Sequence, residues 1–360
     1  MKKKICFIAQ FPPPIHGLSK AVDTLYNSEL KDEFEFEKID ITNNKKIIKN
    51  IISIFKSDAD LFYFTISQTK GGNLRDLVIL KLLEKQNKKC LIHLHGGYYR
   101  ELVDKDLSNW QRKANYKAIK KLAGTIVLGE SLKYIFKGMI DEKKIFVVPN
   151  CVDDEFLLNE KEFDKKIENA QSKDIRDVLY LSNFIKEKGY EYVLELAKLE
   201  KENFDKTGEK KFHFNFAGRF FYQKDEKEFF DYINKNSLKD FVTYYGVVNG
   251  DKKRELLKKS DIFILLTTYP KEGQPISILE AMENGMVIVT TNHAGIPDIV
   301  KNNTNGIIIN KDKIIINEVY ENINNIKFEE VLKNNYKNIK EYLQINYINN
   351  MKKIFGVLNK

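Results

Sequence analysis

The stretch Thr267-Thr-Tyr-Pro-Lys-Glu-Gly-Gln-Pro-Ile-Ser-Ile-Leu-Glu-Ala281 decides how the chain is read. It directly follows the apolar run Ile262 to Leu266, which has the length and composition of a buried strand. Its end carries Ile278, Leu279 and then Met282, spaced as the buried stripe of a helix. Pro275 suits a first helical turn, because the N–H it lacks is one that a helix start leaves unpaired. The segment therefore predicts strand, loop and helix start. The backbone amides of Gly273, Gln274 and Ile276, around Pro275, then point outward, and with the helix dipole they form a candidate diphosphate site. Glu272 stands in the loop and Glu280 inside the helix. One carboxylate can face a sugar while the other accepts from two vicinal ribose hydroxyls. Two glutamates at this spacing also occur on a solvated helix face, so the surrounding strand, loop and proline give the pair its meaning.

Working outward, the same rhythm of short apolar runs and longer amphipathic stretches continues. After residue 177 the runs are Val178 to Ser182, His213 to Ala217, Phe241 to Tyr245, Ile262 to Leu266, Val287 to Thr290 and Gly306 to Ile309. Before it they are Ile5 to Ala9, Leu61 to Thr65, Cys90 to Leu94, Thr125 to Leu128 and Ile145 to Val148, with helices from Ser19 and over Asn73 to Gln86. Continuous apolar strands with helical crossovers predict parallel sheets covered on both faces. The fold class is α/β, with two doubly wound, Rossmann-like domains over residues 1–155 and 156–336. A final helix over about 337–360 is expected to pack back on the first. The charge-dense stretch Asn159 to Asp177 suits a hinge or linker.

The chain has 360 residues and 42% apolar side chains, enough for two cores and too many for disorder. Its three cysteines, Cys6, Cys90 and Cys151, stand far apart, which excludes a disulfide framework or a cysteine metal site. No window reaches the about 20 apolar residues of a membrane span. The basic start Met1-Lys-Lys-Lys reads as the opening of a strand in a cytoplasmic protein. Sixty basic against 51 acidic side chains give +9, of which residues 1–155 hold 27 − 20 = +7. Only six of the 60 are arginine, the residue that most often reads guanine, so a nucleic-acid partner is not expected.

With Glu272, Gly273, Pro275 and Leu279-Glu-Ala281, the sequence resembles the family-4 glycosyltransferases of GT-B fold, whose hallmark is Glu-x7-Glu in the C-terminal domain. Asn150-Cys-Val-Asp153 resembles that family's Pro-Asn-Gly-Val-Asp at the domain junction, with Cys151 in place of glycine, and Gly295, Pro297 and Asp298 resemble the loop after the motif. Leu179 to Gly189 is similar to a segment in which the family carries Gly-Arg at the positions of Ser182 and Asn183 and Lys-Gly at Lys188 and Gly189. The lysine is present and the arginine is not, which leaves diphosphate charge to Lys188, the helix amides and Arg219 of Ala217-Gly-Arg219. The resemblance implies two domains facing each other across a cleft. It also implies metal-independent, retaining transfer of a sugar from a nucleotide donor, a UDP-sugar, to a glycan acceptor of bacterial surface polysaccharide, lipopolysaccharide or glycoconjugate, lipid-linked in part of the family. No cofactor is implied. Glu272 is then associated with the donor sugar and Glu280 with the ribose.

The resemblance also places a glycine loop at Phe11-Pro-Pro-Pro-Ile-His-Gly-Leu-Ser19, where Gly17 lets backbone approach the donor. His95, at the end of Cys90-Leu-Ile-His-Leu-His-Gly-Gly97, matches a family histidine beside the donor sugar. His93, on the same strand face, reads as a core histidine. Asp58-Ala-Asp60 has the form of a metal-holding Asp-x-Asp, but its strand follows it rather than precedes it, so it reads as a turn. Two rival functions keep the fold: a non-catalytic nucleotide-sugar-binding subunit, and a phosphorylase or epimerase. Residues 107–122 fit a helix with Leu107, Trp110, Ala114, Ala118 and Leu122 on one side and Arg112, Lys113, Lys117 and Lys120 on the other. Beside its reading as a sheet-covering helix, this predicts reversible binding of the first domain to an anionic membrane surface, the inner face of the cell membrane.

Overall fold

The computed structural model describes residues 2–13 and 17–359 of the chain, apart from the side chain of Gln171. They form two compact units. The first takes Met1–Cys151, Lys271–Gln274 and Gln344–Lys360, and the second takes Val152–Pro270 and Pro275–Leu343.

The first unit is a six-stranded parallel sheet of β1 (Lys3–Ala9), β2 (Phe34–Asp40), β3 (Leu61–Thr65), β4 (Lys89–His93), β5 (Gly124–Val127) and β6 (Ile145–Val147), in the order β2-β1-β3-β4-β5-β6. Phe7, Tyr63, Leu91 and Ile126 share one core with Val22 and Leu25 of α1 (Gly17–Tyr26) and with Tyr347, Met351, Ile354 and Phe355 of the C-terminal helix Gln344–Leu358. Successive side chains along a strand point to opposite faces, so Ile8, Phe62, Phe64 and Ile92 point to the other face, and they are also wholly buried. That face is covered by α2 (Ile47–Lys56), α3 (Lys70–Lys85) and α4 (Asn109–Lys120), which lie side by side. The edge strand β2, Phe34-Glu-Phe-Glu-Lys-Ile-Asp40, mixes apolar and charged residues as an edge permits and had no counterpart among the continuous apolar runs.

The second unit has the parallel order β12-β11-β10-β7-β8-β9, with β7 Arg176–Leu181, β8 Phe212–Ala217, β9 Val242–Tyr244, β10 Ile262–Leu265, β11 Val287–Thr291 and β12 Gly306–Ile309. Its longer helices are α5 (Glu160–Ser172), α6 (Tyr190–Thr207), α7 (Gln223–Lys235), α8 (Gly250–Lys259), α9 (Ile276–Glu283), α10 (Ile316–Asn324) and α11 (Phe328–Asn338); the C-terminal helix of the first unit follows as α12. Both sheets are thus doubly wound, as the alternating runs predict. The expected linker over Asn159 to Asp177 is instead mostly helix. Asn159 and Glu162 close a capping box at the start of α5, and Phe163 stacks on Tyr336 with ring centroids 3.9 Å apart. Phe163, Ile167 and Ala170, at helical spacing among the charges, pack into the core.

Candidate functional site

In the second sheet the strand order reverses between β7 and β10, which pair directly. Ligands of open α/β sheets bind beyond the carboxyl ends of the strands at such a switch point. After β7 the chain passes Asn183, which is exposed, and makes the turn Lys186–Lys188. After β10 it passes Leu266 to Pro275 and enters α9. The two exits are tied together, for the carbonyl of Glu187 accepts the N–H of Thr268 at 2.7 Å and the hydroxyl of Thr267 at 3.3 Å. Gly189 closes the turn at φ +81°, where a Cβ would stand 2.4 Å from the carbonyl oxygen of Leu266, so only glycine fits. Lys188 Nζ lies 5.2 Å from the centroid of the Tyr269 ring.

Glu280 is buried on α9, and its Oε1 accepts from Lys253 Nζ of α8 at 2.6 Å, with the two side chains 6% and 18% exposed. A solvated helix face is therefore not what this glutamate occupies. Pro275 takes the cap position just before α9 rather than its first turn, and its carbonyl accepts the N–H of Ile278 at 3.1 Å. The exits of β7 and β8 run on as neighbours: Ser182 N–H bonds to Ala217 O at 3.1 Å and Phe184 N–H to Arg219 O at 2.9 Å. Arg219, exposed, thus comes alongside Asn183, the position where the resembling family carries its arginine.

In the first unit, β4 ends in His93, which is fully buried and pairs through Nδ1 with the Tyr63 hydroxyl at 2.7 Å. Burial, and then the neighbouring His95, hold its pKa well below the usual histidine range, so it is a neutral core residue at pH 7. His95 is half-buried and packs on His93 with the rings tilted by 30° and their centroids 4.0 Å apart. The segment Lys271–Gln274 belongs to this unit. Gln274 Oε1 accepts the Asn150 N–H at 2.8 Å, its carbonyl accepts Asn150 Nδ2 at 2.9 Å, and its Nε2 donates to Leu128 O at 3.1 Å. A Cβ on Gly273 would meet Gly96 Cα and His95 O, each at 2.9 Å. Glu272, also buried, and His95 are thereby brought to one strand exit. Gly17 opens α1 beyond β1, while Pro14, Ile15 and His16 of its loop lie outside the described residues.

Asp58 and Asp60 stand at the opposite, amino end of β3. Asp58 pairs with Lys4 Nζ at 2.7 Å, and Asp60 accepts the Lys4 N–H at 2.8 Å. These bonds lower both carboxyl pKa values, Asp58 through the Lys4 side chain and Asp60 through the Lys4 amide. Sequence reasoning missed Lys253 and Tyr269, which contact Glu280 and Lys188. Tyr269 lay within the quoted segment, whereas Lys253 is 27 residues from Glu280 on another helix and had no local signal.

Residues 160–345 match the family model described as glycosyl transferases group 1. A Klebsiella pneumoniae protein, an uncharacterized 41.2 kDa protein in the cps region, is 23% identical over 308 residues, 75% of this chain and 80% of that one. The amylovoran biosynthesis glycosyltransferase AmsK of Erwinia amylovora is 33% identical over 78 residues, 21% of this chain and 19% of its own. Among solved structures, Anabaena Alr3699/HepE in complex with UDP superimposes with a TM-score of 0.73 at 13% identity, covering 99% of this chain and 100% of that one. This last likeness is one of fold.

Proposed function

The chain belongs to the group 1 glycosyl transferases, and from that premise we propose that it moves a sugar from a UDP-sugar to a glycan acceptor of a cell-surface polysaccharide, retaining the anomeric configuration and needing no metal ion. The observation that supports this reading best is the switch point of the second sheet. There Lys188 follows β7, and the chain after β10 leads into α9, with Glu280 buried and fixed by Lys253. Glu280 accepts from the ribose hydroxyls. Lys188, Arg219 and the first amides of α9 stabilise the leaving diphosphate, Arg219 making up the charge absent from Asn183. Glu272 and His95 orient the donor sugar, and Gly17 keeps the backbone close to it. These positive groups do the work of a divalent cation. The UDP held by the Anabaena neighbour and the amylovoran name of the Erwinia relative favour the donor and the product class.

The test is proton NMR of the purified chain with a panel of UDP-sugars in excess EDTA. The reading expects slow donor hydrolysis that first releases the sugar as the donor's own anomer. Release of the opposite anomer, or turnover only after Mn²⁺ or Mg²⁺ is restored, contradicts it. Binding of donor without any turnover would make the chain a non-catalytic subunit.

A further inference from the structure

The outward side of the α2, α3 and α4 layer carries apolar groups that the first unit's core does not use. Of nine exposed large apolar side chains in the described residues of that unit, six lie on these helices: Ile48, Ile52, Phe55, Leu74, Val78 and Trp110. Ile48, Ile52 and Phe55 recur along one face of α2, and Ile48, Phe55 and Trp110 are 74%, 60% and 61% exposed. Leu74, Val78 and Trp110 line one groove of about 580 Å³ between α3 and α4. Gln86 Nε2, just past α3, donates to Phe55 O at 2.8 Å and holds the end of α2 beside α3. Scattered exposed apolar residues need no explanation, but a group gathered on adjoining helices does.

The α4 face differs from the one its sequence suggested. Asn115 and Ile119, with Leu122 just beyond the helix, turn to the core, and Trp110 turns outward to join the α3 residues. Basic groups dominate this layer. Neither α2 nor α4 contains an acidic residue. In α3, Asp76 is buried against Arg75, and Glu84 pairs with Lys121. Exposed Lys49, Lys56, Lys81, Lys85, Lys117 and Lys120 accompany the apolar groups.

We propose that this three-helix face docks on an anionic lipid bilayer, its aromatic and aliphatic groups entering at headgroup depth while the lysines meet lipid phosphates. Long lysine stems suit that arrangement, since they lie along apolar surface with the ammonium in the polar layer. The proposal uses none of the residues assigned to the donor and stands apart from that assignment.

Trp110 is the only tryptophan in the chain, so its fluorescence reports on this face alone. With phosphatidylcholine vesicles containing phosphatidylglycerol, at low salt, the protein is expected to float with the vesicles. Its emission should shift to the blue and be quenched by lipids brominated on their chains. Pure phosphatidylcholine should do neither. Phe55→Ser together with Val78→Ser should reduce insertion, and Lys81→Gln with Lys117→Gln should weaken binding about fivefold per lysine. The proposal is overturned if the wild-type chain stays free of anionic vesicles, or floats with Trp110 emission unchanged. It is also overturned if the same substitutions instead dissolve a dimer, which would make the face a contact between copies.

Discussion

Glu280 depends on a partner that no local spacing reveals. Its carboxylate is buried and held by Lys253 at 2.6 Å, so it is already aimed before a ligand arrives. Lys253→Met should leave that carboxylate unpaired and free to turn. The expected result is about tenfold weaker UDP binding by calorimetry, about 1.4 kcal/mol, together with a lower melting temperature. Lys253→Arg should restore part of both. Unchanged affinity in Lys253→Met would mean that the ion pair does not orient Glu280. At this scale the sequence was informative where chemistry is local. Glu272 and Glu280 stand out by their spacing around Pro275. Lys253 and the Asn150 to Gln274 bonds join residues 27 and 124 positions apart, and only the folded chain brings them together.

Among the elements, α5 is the one whose composition hides its structure. Its charges outnumber its apolar residues, yet Lys166 on it is buried, with Nζ donating to Ser260 O at 2.7 Å. Burial pulls the Lys166 pKa down from 10.5 to about 7. The folded state therefore binds this proton less tightly than the unfolded chain, and stability is gained as pH rises from about 7 toward 10.5. Lys166→Met should remove that dependence and raise the melting temperature at pH 7, where the wild type must in part bury a charge. The same pH profile in the wild type and the variant would show that the amine is held by more than the Ser260 carbonyl. The misread linker has the same root, for three apolar residues among charges are enough for a helix when a sheet waits to cover them. Edge strand β2 escaped in the opposite way, because half its residues face water.

Over the whole molecule, chain order and unit membership do not coincide. The first unit takes its last helix from the end of the chain, and Tyr347, Met351, Ile354 and Phe355 of α12 are buried in its core. Each such side chain contributes about 1.5–3 kcal/mol, so four together rival the 5–15 kcal/mol that stabilise a typical domain. Removing residues 344–360 should unfold the first unit while the second keeps a separate melting transition. A truncated chain with the wild-type profile would contradict this packing. The two doubly wound sheets were legible from the alternation of runs alone, because buried parallel strands are written as unbroken apolar segments.

The central claim is that the segment from Glu272 to Glu280 builds a nucleotide-sugar site, and calorimetric titration of UDP into the wild-type chain and Glu280→Ala tests it most directly. Loss of a charge-assisted contact of about 1.5–3 kcal/mol predicts binding roughly 10- to 150-fold weaker in the variant, in the presence of EDTA. Absence of UDP binding to the wild type, or equal affinity in the two proteins, would contradict the account.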